Sequence, residues 1–79
     1  MNTIAEQWAT FAAMVMPKDA EPVQRQEMRR AFYAGAEAML RLQWIAGDSR
    51  VTENGAMAMI EGWHDECRRF ALQVAAGTA

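Results

Sequence analysis

The residues best suited to chemistry lie in two short stretches. The first holds Arg25, Arg29, Arg30 and Tyr33; the second holds Trp63, His64 and Arg68. Arg25, Arg29 and Tyr33 are four apart, so on a helix they share one face, with Arg30 beside them. Arginine offers a planar fork that matches phosphate, and aromatic rings stack on nucleobases. Together they form the pattern a nucleotide-type ligand would need. The same spacing has a commoner use. Glu21 precedes Arg25 by four, Glu37 precedes Arg41 by four and Asp65 precedes Arg69 by four, as in ordinary exposed ion-pair support. Arg29 and Arg30 are the least well provided with such partners, Glu27 standing at a three-residue helical step from Arg30 alone.

Other chemistries have weaker footing. Glu61-Gly62-Trp63-His64 is one Glu-x-x-His element, whereas a di-iron bundle needs two plus two further glutamates. A homodimer could supply the second copy, with Glu27 or Glu37. His64 and Cys67 are two potential zinc ligands where four are usual. No metal or other cofactor is therefore expected. There is no glycine-rich phosphate loop, Ser-His-Asp set or compelling carboxylate pair, so the sequence reads as a binding protein and not an enzyme. Cys67 falls on an apolar seam and reads as a buried small hydrophobe.

Three helices must position these groups. The first is expected over residues 4–16. Thr3 and Glu6 form a capping-box pattern, Ile4, Trp8, Phe11 and Val15 recur at helical spacing, and Pro17 stops it. The second is expected over 20–46, with Asp19 as N-cap, Pro22 in the first turn and Gly47 as the left-handed residue beyond its end. The third is expected over 53–76, capped by Ser49 or Thr52 and ended by Gly77. No strand-like alternation occurs. The expected fold is all-α: a single domain over residues 1–79, with a short helix 1 packed across long antiparallel helices 2 and 3.

Helix 2 carries two apolar stripes. Met28, Phe32, Gly35, Met39 and Leu42 form one; Tyr33, Ala36, Leu40 and Trp44 form the other. A small protein needs one such face for its own core. The second points to a partner subunit or a ligand. Gly35 lies among Ala31, Ala34, Ala36 and Ala38, which suits either tight helix packing or a floor for a ligand or second subunit. Tyr33, Gly35, Ala36, Leu40 and Trp44 are accordingly the expected interface of a homo-oligomeric bundle. Helix 3 places Ala56, Ile60, Trp63, Cys67, Phe70 and Val74 on one seam.

Composition limits the setting. Eight basic and ten acidic residues give a formal charge of -2, which offers no general attraction to nucleic acid or anionic membrane. Helix 3 carries Glu53, Glu61, Asp65 and Glu66 against Arg68 and Arg69, which argues against a DNA-reading helix. No apolar run is long enough to span a bilayer, and MNTIAEQW lacks the features of a secretory signal. A single cysteine excludes an internal disulfide and fits the cytoplasm.

The stretch Met28-Arg29-Arg30-Ala31-Phe32-Tyr33-Ala34-Gly35-Ala36 resembles a motif in small, mostly uncharacterised proteins of tailed phages and prophages. The opening Ile4-Ala5-Glu6-Gln7-Trp8-x-x-Phe11 and the late Glu66-Cys67-x-x-Phe70 also look like that group. The resemblance carries no catalytic motif. In size and helical character the chain is also similar to phage proteins that sequester cyclic nucleotide immune signals, such as anti-CBASS and anti-Thoeris sponges. These likenesses imply an anti-defence protein in the cytoplasm of an infected bacterium, holding a nucleotide-type signal at a subunit interface. Two alternatives stay open. One is an anti-CRISPR-like inhibitor or adaptor docking on a host defence protein; the other is a phage structural or assembly accessory protein.

Overall fold

Residues 2–79 are described by a computed structural model. Three helices run in order: α1 (Ile4–Val15), α2 (Pro22–Ala46) and α3 (Glu53–Ala75). No strand occurs among the described residues. They fall into two units, one ending at Leu42 and the next beginning at Gln43, so the division lies inside α2.

Local chemistry explains most helix ends. Thr3 Oγ1 accepts the Glu6 backbone N–H at 3.1 Å, and the Glu6 carboxylate accepts the Thr3 backbone N–H at 3.3 Å. This is the expected capping box. At the other end Met16 takes an extended ψ of 126°, the conformation Pro17 imposes on the residue before it. Thr52 caps α3, its hydroxyl accepting the Gly55 N–H at 3.0 Å. Gly77 ends α3 at φ 75°; its N–H reaches the Val74 carbonyl at 3.1 Å and the Thr78 N–H reaches Gln73 at 2.9 Å. That pair of bonds is a Schellman motif.

Both ends of α2 differ from expectation. The helix starts at Pro22, not at residue 20, so Asp19 lies outside the capping position. The turn before it is closed by the Ala20 N–H on the Pro17 carbonyl at 3.1 Å and by Arg25, described below. Gly47 is not left-handed, since Gly77 is the only glycine with positive φ among the described residues. Its N–H makes one more helical bond, to Gln43 at 3.0 Å, and the chain then turns on Asp48. The Asp48 carboxylate accepts the Arg50 backbone N–H at 2.8 Å and its guanidinium at 2.9 and 3.0 Å. A side-chain turn thus replaces the glycine stop.

The first unit is centred on three rings from α1 and α2. Phe32 lies 5.5 Å from Trp8 and 5.3 Å from Phe11, centre to centre, and Trp8 and Phe11 lie 6.0 Å apart. Such tilted pairs add about 0.5–1.5 kcal/mol each beyond area burial. All three rings are half-buried. In the second unit Ala46 is buried, and Val51, Gly55, Ala56, Met59 and Trp63 are half-buried.

The expected core seam of α3 is not a core. Cys67 is exposed, contrary to its reading as a buried hydrophobe. Phe70 and Val74 are 58% and 53% exposed. Periodicity marks a face as apolar but does not say what covers it. Gly35 departs similarly: no other atom lies within 4 Å of where its Cβ would be, so no tight helix packing occurs there.

Candidate ligand site

Arg29 and Tyr33 are one turn apart on α2, and the structure puts them in direct contact. The Arg29 guanidinium carbon lies 5.3 Å from the centre of the Tyr33 ring, a cation–π arrangement. Arg29, Arg30 and Tyr33 line a shallow open depression. Among the described residues the Arg29 guanidinium has no hydrogen bond or ion pair, so its N–H donors are available. Arg30 is held by Glu27 at 3.3 Å in an exposed pair. Such a pair contributes about 0.2–0.5 kcal/mol, weak enough for an incoming phosphate to displace. Tyr33 is half-buried, and its ring also packs edge-on to Phe32 at 6.3 Å. The aromatic cluster of the first unit thereby fixes the ring on which Arg29 lies.

Arg25 serves a different purpose. Its Nε donates to the Ala20 carbonyl at 3.3 Å, and one terminal nitrogen donates to the carbonyls of Pro17 and Lys18 at 3.4 and 3.1 Å. It ties the first turn of α2 to the loop before it, in place of the expected pairing with Glu21. The sequence contained no marker for this. Its targets are backbone carbonyls, which carry no residue identity.

The second group lies in the other unit. Glu61, His64, Asp65 and Arg68 line an open depression on α3. Arg68 is bound to Asp65, whereas the sequence spacing had paired Asp65 with Arg69. The hydrogen bond from Arg68 and its charge hold the Asp65 carboxyl below its ordinary 3.8, with smaller contributions from Arg69 and His64. An anion entering here would meet two carboxylates, and the one bordering arginine is already engaged. Trp63 is half-buried next to this group in sequence. Of the expected ligand contacts, then, Arg29, Arg30 and Tyr33 are gathered in one place, and His64 and Arg68 in another. No group of three or more His, Cys, Asp or Glu side chains suited to a metal occurs among the described residues.

The expected interface residues on α2 present an open surface. Leu40 is 54% and Trp44 85% exposed, Gly35 is exposed, and Tyr33 and Ala36 are half-buried. No helix among the described residues is long and apolar enough to cross a membrane. No protein-family model, curated protein or solved structure matches this chain.

Proposed function

We propose that this chain is a self-associating helical binding protein that captures a nucleotide-type ligand on α2. Arg29 and Arg30 meet phosphate, and Tyr33 offers a face to a base. The observation that carries this reading is the unpaired Arg29 guanidinium lying against the Tyr33 ring. Cation and aromatic surface are pre-assembled there, with no carboxylate satisfying the cation among the described residues. A planar guanidinium on a ring can receive phosphate at its edge without leaving the ring. The open Leu40, two turns further along α2 in the same unit, supplies surface for a second subunit.

The likeness in size and helical character to phage proteins that sequester cyclic nucleotide immune signals suggests that ligand class, with sequestration and not turnover as the activity. The exposure of Trp44 favours a second reading, docking on a host defence protein, because exposed tryptophans anchor protein interfaces.

A thermal-shift panel of cyclic di- and trinucleotides and cyclic ADP-ribose isomers tests the first reading. Ligand at about 100 times Kd stabilises by about 2.7 kcal/mol, a shift of several degrees for a domain this small. Arg29→Ala should abolish the shift, and Arg29→Lys should retain only part of it, since lysine keeps the charge but not the planar fork. A folded protein that ignores the whole panel, or an Arg29→Ala variant that binds normally, would refute it.

A further inference from the structure

Glu27 stands beside the depression lined by Arg29, Arg30 and Tyr33, and it is bound to one of the two arginines there. All four residues belong to one stretch of α2 inside the first unit. The next carboxylate along the helix, Glu37, is held by Arg41 at 2.9 Å. Arg25, one turn before Arg29, has its donors committed to loop carbonyls. Two guanidiniums and one carboxylate therefore set the charge at the depression, and one positive charge is left in surplus. We infer that Glu27 is a specificity-determining residue: it fits this site to the singly charged phosphate of a phosphodiester and disfavours a terminal phosphate. The inference rests on the nucleotide-binding reading of the same site.

Charge and donor geometry both carry it. A phosphodiester bears one negative charge, which the surplus matches. A terminal phosphate bears about 1.5 to 2 negative charges at pH 7. The additional charge would lie uncompensated beside the Glu27 carboxylate, and like charges repel. As for geometry, a phosphodiester has two free oxygens, and the fork of Arg29 offers two parallel N–H bonds. Arg29 can make them while it stays on the Tyr33 ring. A terminal phosphate adds a third free oxygen. The guanidinium left for it is Arg30, whose charge Glu27 already matches at 3.3 Å. Arg30 keeps other N–H donors with which to steady a ligand, but it brings no second uncompensated charge.

Two linear dinucleotides isolate the effect: ApA, with one phosphodiester and no terminal phosphate, and pApA, which adds a terminal phosphate. Each is titrated at pH 7 and matched ionic strength, with the NMR signals of the Tyr33 ring as the readout. Wild type should bind pApA no more tightly than ApA, despite the added charge. Glu27→Gln, with its helical circular dichroism unchanged, should tighten pApA several-fold more than ApA. Glu27→Asp, which keeps the charge, should keep the wild-type preference. A several-fold wild-type preference for pApA would overturn the role of Glu27 and leave the ligand site standing. So would a Glu27→Gln variant that tightens both probes by the same factor. If neither dinucleotide moves the Tyr33 signals, or if Arg29→Ala binds both as wild type does, the site itself falls and this inference with it.

Discussion

Arg25 and Arg29 stand one turn apart on the same face of α2, yet their surroundings give them different work. Arg25 donates to three loop carbonyls, so Arg25→Ala should fray the start of α2. The expected loss is about 1 kcal/mol, modest because the bonds are exposed. Chemical denaturation measures it, and ligand affinity per folded molecule should not change. Asp48 gives a prediction in pH. The hydrogen bonds from the Arg50 side chain, then from its backbone, hold the Asp48 carboxyl below its ordinary 3.8. A depressed carboxyl binds fewer protons folded than unfolded. Its contribution is therefore fully present above about pH 3.8 and is lost as pH falls through the lower folded value. Asp65 acts in the same direction through Arg68. Stability should fall with acid in that window, and the double variant Asp48→Asn, Asp65→Asn should flatten the fall in an acid titration followed by circular dichroism. At this scale the sequence was only half legible. Spacing along a helix correctly paired Glu37 with Arg41, observed at 2.9 Å. It could not tell Arg68 from Arg69 as the partner of Asp65, because both lie within one turn of it.

The helix starts and stops at Thr3, Pro17 and Gly77 could be read from the sequence because each acts through its own nearest backbone, whereas Ser49 and Thr52 both stayed open as the cap of α3 until the structure placed it on Thr52. Gly47 shows where that reasoning ends. Glycine permits a left-handed stop but does not compel one, and the neighbouring Asp48 supplied a turn of its own. The glycines inside α3 separate two effects. A Cβ at Gly62 would meet nothing within 4 Å, whereas one at Gly55 would stand 3.0 Å from Thr52 Oγ1, the cap itself. Gly62→Ala should therefore stabilise by up to about 1 kcal/mol through helix propensity. Gly55→Ala should gain little or lose, because the cap must shift. Thermal melts of the two variants at one protein concentration make the comparison. Gly35 is as open as Gly62 within the chain, yet Gly35→Ala should forgo that gain, because the proposed α2 interface runs across it.

At the scale of the whole chain the decisive feature is how little each unit buries by itself. Ala46 is the one buried hydrophobic residue among those described, while Trp44, Leu72 and Phe70 are largely open. Even a well-packed core in a chain this short supplies only about 3–5 kcal/mol. The all-α class and the three helices were legible from periodicity. The fate of the seams was not, because a stripe such as Ile60–Val74 looks the same in sequence whether its cover is the same chain or another. The central claim is that another copy completes this fold. The most direct test is the melting temperature of ligand-free protein over a hundredfold range of concentration. A self-associating chain gains about 1.4 kcal/mol of association free energy per tenfold increase, so the midpoint should climb by several degrees per decade. A midpoint that stays constant across the range would contradict the claim.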